Sequence, residues 1–485
     1  MATIAENLTL LKSTKAGIKA AIEAKGVSNV GDKFSDYPAK IASIPTGGST
    51  SGVSQWTGTV DRAGLTELGW STTDIDNLQA NVRWYDWQNP DYAVVDADKS
   101  ITAISQYYDN KNVRYAKMLD TSQVTNMDSK FNGCSRLTSI PTLDTSKVTS
   151  MNNMFNGCTS LVSIPALDTS KVTDTAAMFY NCISLTSISV LNTSQVTNMD
   201  SMFYSCTSLT SIPTLDTSQV TSMGSMFSDC TRLTSIPALN TSKVTNMSYM
   251  FMSCSRLTSI PTLDTSKVTN MSSMFNGCAR LTSIPALDTS KVTNMRSVFS
   301  GCPSLTSIPT LDTSQVTNMY SMFSSCNSLT SIPALNTSQV TNMDNMFSGC
   351  ISLVSIPALD TSKVTKMGYM FGNCTSLTSI ESIDFSSCTD TGYTFPFYND
   401  YSKLTSMHVT GSISFSWTSN GFSSIPNLDF NSIKSILEAM NRCTNPETAK
   451  TMSFKSTMTD QDSQLTNLVS ECNGKGWTIT GLTIN

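Results

Sequence analysis

The sequence is poor in histidine and in charged residues, and it has no long apolar run. Among 485 residues there is one histidine, His408, and 14% are Asp, Glu, Lys or Arg. A single histidine excludes multi-histidine metal sites and leaves little room for a Ser-His or Cys-His catalytic unit. The net charge of -5 argues against a general nucleic-acid binder, which needs a basic surface. No stretch approaches the roughly 18 apolar residues of a membrane span.

A 24-residue repeat without insertions organises more than half of the chain. The motif LDTSKVTNMSSMFNGCTSLTSIPA recurs eleven times from Leu119 to Ser382, and a degenerate Ile383-Asp384 closes the series. Valine, methionine, phenylalanine, cysteine, leucine and isoleucine return at fixed positions. An apolar side chain repeated at one phase can be buried only against its own copies, so each repeat is one coil of a solenoid. Parallel strands lie about 4.8 Å apart, so eleven coils would extend roughly 50 Å.

Each coil is predicted to contain two short strands, around Lys/Gln-Val-Thr-Asn-Met and Leu-Thr-Ser-Ile, joined by a tight helical turn around Ser-Met-Phe-x-x-Cys. Proline follows the second strand in nine coils and ends strand pairing there. Asp-Thr-Ser supplies turn chemistry, because short polar side chains bond to nearby backbone amides. Calcium ligation is the alternative for these aspartates, but asparagine at positions 192, 240 and 336 favours turn capping. The predicted fold class is a mainly β repeat solenoid of leucine-rich-repeat type, with small α+β capping modules and an N-terminal helix.

The repeat resembles the BspA-like leucine-rich repeat of bacterial surface proteins, in which VTNM, an MF-x-x-C turn and SLTSL/I recur. This resemblance implies a recognition scaffold and leaves the ligand open. Flanking segments, NLTLLKSTKAGIKAAIEAKGV, GLTELGWSTTDIDNL and the stretch from Asn445 to Trp477, resemble parts of tail-fibre and other virion appendage proteins of gut-bacterial (Bacteroides-type) phages. The second resemblance implies a virion protein that is made in the host cytoplasm.

Five segments are predicted along the chain. They are a helical anchoring or oligomerisation segment (1–45), a Gly/Ser linker (46–55), a Trp-rich module that caps the first coil (56–118), the eleven-coil solenoid (119–383) and a C-terminal α+β cap (384–485). Within the last segment, helices are predicted near 431–441 and 460–472, and a strand or two at 476–484. The tryptophans of the third segment are interpreted as core, with sugar stacking as the alternative.

The N-terminal segment carries a short heptad-like series in a predicted helix. The series begins at Ile4, is interrupted by Lys15, and has Leu8, Leu11, Ile18 and Ile22 as its candidate contacts. Self-association through this series and packing on its own module are both open. The tail-fibre resemblance implies a homo-oligomer, with a trimer as the first expectation, and other virion proteins as partners of this region. The opening MATIAENLTLLKSTKAG lacks a basic segment before an apolar run, so no secretory signal is predicted.

Eleven of the 14 cysteines occupy one position of the repeat, and none of the eleven has a CxxC partner. Equivalent cysteines of adjacent coils would lie about 5 Å apart, which leaves adjacent disulfides open. Because cysteine is a small and readily buried residue, a reduced, buried ladder is the favoured interpretation. A linear ladder offers no tetrahedral thiolate cluster, so neither a metal site nor another cofactor is predicted.

Candidate ligand-binding residues are those at repeat positions that vary. Arg232, Arg256 and Arg280 replace serine in three consecutive coils and would form a basic stripe for an acidic glycan or phosphate. Tyr180, Tyr204 and Tyr249 are candidates for stacking on sugars. A solvated surface with drift between repeats is the alternative for both sets. The position after the methionine varies as well, with Asp128, Asn152, Asp200, Arg296, Tyr320 and Asp344.

These features predict a non-enzymatic recognition protein. The first hypothesis is a phage tail fibre or receptor-binding protein that presents the solenoid to a host-surface glycan or protein. The alternative is a BspA-like bacterial surface adhesin, which would need a signal peptide and a wall anchor. A glycan depolymerase would need paired acids in a cleft, whereas the repeated aspartate has the pattern of turn chemistry. No catalytic residue, nucleic-acid partner or membrane span is predicted.

Overall fold

A computed structural model describes residues 92–95, 115–118, 121–122, 124–140, 142–389, 397, 401–413, 421–443, 450–460 and 463–485. The predicted N-terminal helix with Leu8, Leu11, Ile18 and Ile22, the linker and most of the Trp-rich module lie outside the described residues. From that module, strands β1 (Tyr92–Val95) and β2 (Tyr115–Met118) are described and pair in parallel.

Eleven stacked coils, each counted from its valine, form the centre of the chain. Coil 1 comprises residues 124–147 and coil 11 comprises residues 364–387. One residue of each coil forms a parallel bridge to the equivalent residue of the next, and these bridges run unbroken from Asn126 to Lys366. The bridges join residues 24 apart, so the predicted repeat solenoid is confirmed.

The strands within a coil are shorter than predicted. Around Val-Thr-Asn-Met, each coil contributes only its single bridge residue. At Leu-Thr-Ser-Ile, the described part of the solenoid has strands only at β3 (Ser355–Ile356) and β4 (Ser379–Asp384). Proline is one cause, because it has no N–H to donate to a ladder.

The turn between the two segments is not helical. Alternate amides donate to the next coil, as Ser129 N does to Asn152 O (2.8 Å) and Phe131 N to Met154 O (2.8 Å). The amide between them, Lys130 N, donates back to Met127 O (3.3 Å). Left-handed residues make this alternation possible, and every coil has a non-glycine residue with φ of 51–58° at the position of Ser129. The predicted helical turn is therefore replaced by a series of turns that bond between coils.

Equivalent side chains stack on one another through the core. The phenylalanine rings from Phe131 to Phe371 lie 5.3–5.9 Å apart between centroids and within 11° of parallel. The valine, leucine and cysteine positions are fully or almost fully buried in all eleven coils. Lys130 takes the position that is methionine in most coils, and burial lowers its pKa to about 7.

All 14 cysteines are buried free thiols in the structure, so the predicted burial of the ladder is confirmed, whereas its reduced state stays a prediction. From coil 2 onward, each ladder cysteine donates its S–H to the phenylalanine carbonyl of the preceding coil at 3.0–3.1 Å. Burial raises the pKa of these thiols, to about 12 for Cys182 and Cys254. The thiolate, which is the reactive form, is thereby suppressed.

Stacking continues after the 24-residue period ends at Asp384. Phe397 stacks on Phe371 with 5.2 Å between ring centroids. The Tyr401 hydroxyl donates to Phe371 O, where the phenylalanine carbonyls of the preceding coils accept from a cysteine S–H. Strand β5 (Ser406–Thr410) then pairs in parallel with β4. A twelfth, irregular layer thus extends the core.

A helix closes the open edge of this layer. Helix α1 (Phe430–Asn441) is capped by Asp429 and packs on β5. Met407 N donates to Ser432 Oγ (2.8 Å) and Val409 N to Ser435 Oγ (3.1 Å). These amides point away from β4, so the two serines satisfy donors that an exposed strand edge would otherwise present to another chain.

The chain ends in a parallel β-α-β unit. Strand β6 (Lys450–Met458) pairs with β7 (Trp477–Ile484), and α2 (Gln464–Gly474) connects them. A short 3₁₀ turn at Gly421–Ser424 packs against β6. Both predicted helices and the terminal strand are confirmed, with α2 beginning four residues later than predicted. Among the described residues, no helix has the length and apolar character to cross a membrane.

Removal of the two serine hydroxyls tests this cap. Ser432→Ala with Ser435→Ala leaves two buried amides without acceptors, each costing about 1–3 kcal/mol. We expect faster amide hydrogen exchange at Met407 and Val409 and a lower melting temperature. Ser470→Ala, at an exposed position of α2, is the matched control and should leave both unchanged. Unaltered exchange at Met407 and Val409 in the double variant would contradict this role.

Candidate recognition surface

The arginine stripe, Arg232, Arg256 and Arg280, lies on coils 5, 6 and 7. All three side chains are exposed, and each precedes a fully buried leucine. The parallel bridges Ser222–Asn246 and Asn246–Asn270 join the three coils, and beside the stripe Ser255 Oγ of coil 6 donates to Thr231 O of coil 5 (3.4 Å). The structure therefore brings the three predicted residues onto one line.

The repeat positions on either side of the stripe have a single sign of charge. We call the nine positions from the residue after the cysteine to the leucine before the aspartate the arginine face; in coil 1 they are residues 135–143. In coils 1–10 this face contains four arginines and no Asp, Glu or Lys. The fourth, Arg136, was missed by the sequence analysis and is separated from the stripe by three coils. The positive charge is therefore local to this face, because the whole chain has a net charge of -5.

The three candidate tyrosines do not form one group. Tyr180 and Tyr204 stack face to face, with ring centroids 4.5 Å apart and planes within 4°. Partial burial, followed by the nearby Asp229 carboxylate, raises the pKa of Tyr204. Tyr249 lies at another repeat position, with φ of 58° and 40% exposure. Because the first two rings each cover one face of the other, less aromatic surface is left for a sugar.

Two further variable residues contact each other. The Arg296 guanidinium carbon lies 4.7 Å from the ring centroid of Tyr320 in the next coil. This geometry is a cation–π contact, which contributes about 0.5–1 kcal/mol at an exposed site. Arg296 and Tyr320 are therefore partners across a coil boundary.

The repeated Asp-Thr-Ser segment is a turn cap. Asp264 Oδ1 accepts from Ser266 N (3.0 Å) and Ser266 Oγ (2.7 Å), and Asn240 Oδ1 accepts the equivalent bonds from Ser242 (3.2 and 2.8 Å). The serine hydrogen bonds lower the pKa of Asp264. Since asparagine makes the same bonds, turn capping accounts for both residues without calcium. The described part of the chain has no group of three or more His, Cys, Asp or Glu residues placed to hold a metal.

A model of the family described as "Mycoplasma protein of unknown function, DUF285" matches the repeats. Its matches cover residues 100–211, 182–281, 256–332 and 305–407, which together make up more than half of the chain. The chain belongs to the DUF285 family. The family match confirms the resemblance of the repeats to BspA-like leucine-rich repeats, whereas the phage resemblance of the flanks stays a prediction.

Solved structures similar to this DUF285 chain include leucine-rich repeat proteins of two bacteria. The protein from Eubacterium ventriosum is 16% identical, with a TM-score of 0.35, over 70% of this chain and 94% of that one. The protein from T. pallidum is 19% identical, with a TM-score of 0.21, over 49% of this chain and 83% of that one. No curated protein matches the chain.

In eight DUF285 coils, the turn after the bridge residue is capped within the coil. The bridge residue is Asn or Asp, and its side-chain oxygen accepts from the amide two residues later at 2.6–3.1 Å. Coils 2, 5 and 11 have Ser150, Ser222 and Lys366 at the bridge; the ammonium of Lys366 cannot accept, and the two serine hydroxyls donate to an aspartate of the preceding coil instead of capping their own turn. These three coils need another oxygen.

An aspartate of the preceding coil supplies that oxygen each time. Asp128 accepts from Asn152 N (2.8 Å), Asp200 from Gly224 N (2.6 Å) and Asp344 from Gly368 N (2.6 Å). Aspartate occurs at this position only in the three coils that precede a bridge without Asn or Asp. The three aspartates therefore vary for a structural reason, and the sequence analysis missed it.

A double-mutant cycle tests the pairing of Asp200 with Ser222. Asp200→Ser removes the acceptor of a buried amide and should cost about 1–3 kcal/mol. Adding Ser222→Asn restores a cap within the coil and reproduces the pair Ser248 and Asn270, so stability should return towards wild type. Hydrogen exchange at the Gly224 amide and thermal unfolding measure both effects. Equal effects of Ser222→Asn with and without Asp200 would mean that the two residues are not coupled.

Proposed function

We propose that this DUF285 chain is a recognition protein of a phage virion, of tail-fibre or receptor-binding type. The solenoid presents the arginine face to a glycan or protein of the host surface. The N-terminal region, with Leu8, Leu11, Ile18 and Ile22, assembles the chain into a homo-oligomer, a trimer in the simplest case, and attaches it to other virion proteins.

The recognition role is supported chiefly by one observation: the buried positions of the solenoid are nearly constant, whereas the exposed positions vary. The buried positions hardly change from coil to coil, and the Asp changes after the methionine follow the neighbouring bridge residue. The arginine stripe changes the exposed surface without changing the core, because the leucine beside each arginine stays fully buried. Repeat scaffolds that vary only at exposed positions are suited to binding extended ligands.

The cysteine ladder supports a virion over a secreted adhesin. Eleven coils place eleven thiols in the core as S–H groups, and an oxidising compartment would favour disulfides between them during folding. A virion protein folds in the reducing host cytoplasm and leaves the cell by lysis. The similarity of the flanks to phage appendage proteins points in the same direction.

The location of the protein, on virions or on the bacterial surface, distinguishes a virion protein from an adhesin. Particles purified by density gradient from a lysate that contains the protein should carry it in a fixed ratio to the major capsid protein. Mass spectrometry gives the ratio, and immunogold labelling gives the position on the particle. A host cytosolic protein is the contamination control. Recovery in washed envelopes of uninfected cells, together with absence from particles, would contradict the virion assignment and identify an adhesin.

A further inference from the structure

We propose that the arginine stripe binds a linear glycan with one anionic group on each sugar, lying along the solenoid axis. This inference rests on the proposed recognition function and names its ligand class. It does not depend on whether the chain is part of a virion.

Charge selects an anionic ligand. The three guanidiniums are exposed on consecutive coils, and no acidic residue lies on the arginine face of coils 1–10. A second copy of the same face would place arginines opposite arginines, which is unfavourable. Guanidinium groups bind carboxylate and phosphate through two parallel hydrogen bonds. The occupant is therefore a polyanion of another kind.

Spacing selects a polymer with regularly repeated charge. The core phenylalanines of coils 5, 6 and 7 lie 5.8 Å apart from one coil to the next, so the arginines follow one another at about this interval. That interval is close to the advance of one pyranose unit in an extended chain. A glycan with one charge per sugar thus presents one anion to each arginine, and the flexible arginine side chains absorb the small mismatch.

Hydroxyl groups beside the stripe select a sugar over an acidic peptide. In each of the three coils, an exposed threonine and serine follow the buried leucine, as Thr258 and Ser259 do in coil 6. Neutral hydroxyls both donate and accept hydrogen bonds, which matches the hydroxyls of a sugar chain. The face offers no apolar pocket in coils 5–7 for peptide side chains, since its exposed large apolar residues are Val162, Ile183 and Val190 in coils 2–3 and Ile351 and Val354 in coil 10.

The chain itself provides a matched pair of triple variants. Arg232→Ser, Arg256→Ser and Arg280→Ser introduce the residue that seven other coils have at this position. Lys243→Gln, Lys267→Gln and Lys291→Gln change exposed lysines of the same three coils to a residue that four other coils have. Each triple variant removes three positive charges and takes the net charge from -5 to -8. Both should fold, which circular dichroism and thermal unfolding verify.

Binding is measured by calorimetry with poly-β-D-mannuronate, an extended chain with one carboxylate per sugar, and with hyaluronan, which has one for every two sugars. Neutral dextran and poly-L-glutamate are the comparison polymers. We expect the wild type to bind poly-β-D-mannuronate most tightly and dextran not at all. The arginine variant should lose about tenfold in affinity, and the lysine variant should stay within about twofold, because only the arginines contact the polymer. Added salt should weaken binding.

Three results would overturn the inference. In the first, the wild type does not bind poly-β-D-mannuronate. In the second, both triple variants lose affinity equally, so that only net charge matters. In the third, poly-L-glutamate binds the arginines as tightly as the glycan does. Absence of the protein from virions would leave these measurements unchanged, so failure of the virion assignment and failure of the glycan inference are distinguishable.

Discussion

One carbonyl in each coil shows how the solenoid is held together. Phe155 O accepts from Cys158 N of its own coil (3.0 Å) and from Cys182 Sγ of the next (3.1 Å), beside a ring that stacks on the next phenylalanine. The S–H bond recurs at the phenylalanine carbonyls of coils 1–10, and in coil 11 the Tyr401 hydroxyl takes its place, so local turns and contacts between coils are formed by the same atoms. A coil without neighbours would lose the second bond and both stacking partners. Stability therefore resides in the interfaces between coils, as expected for a repeat protein.

The sequence predicted the core residues that recur in every coil. It did not predict the residues whose role depends on a contact with the adjacent coil. The Val, Phe, Cys and Leu positions were assigned to the core because a fixed phase in a 24-residue period has no other place to be buried. The left-handed backbone at Ser129 and its equivalents was not predicted, since serine has no intrinsic preference for positive φ and adopts it where contacts between coils require it. Asp200 was interpreted as a variable surface residue because its partner, Gly224 N, is 24 residues away. Comparing each aspartate with the bridge residue of the following coil would have revealed the pairing.

The variable surface residues fall into two groups, those that contact an adjacent coil and those that do not. Asp128, Asp200 and Asp344 vary with the next coil, and Arg296 and Tyr320 contact each other across a coil boundary. The arginine stripe instead lies on three coils whose core residues are unchanged, on a face that has no acidic residue in coils 1–10. A rigid core with a regular spacing thus converts three substitutions into a row of charges. Such a row suits a polymeric ligand of similar spacing, and it suits catalysis poorly, because a row brings no acid and base together.

Deletion of one whole coil tests most directly whether the coils are equivalent stacked units. Removing residues 268–291, coil 7, joins coil 6 to coil 8, whose bridge residues Asn246 and Asn294 both cap their own turns. We expect a folded, shorter protein with cooperative thermal unfolding, whereas removal of only residues 268–279 should break the phase and prevent folding of the adjoining coils. Hydrogen exchange across coils 5–9 measures both outcomes. Equal loss of protection in the two deletions would contradict the account.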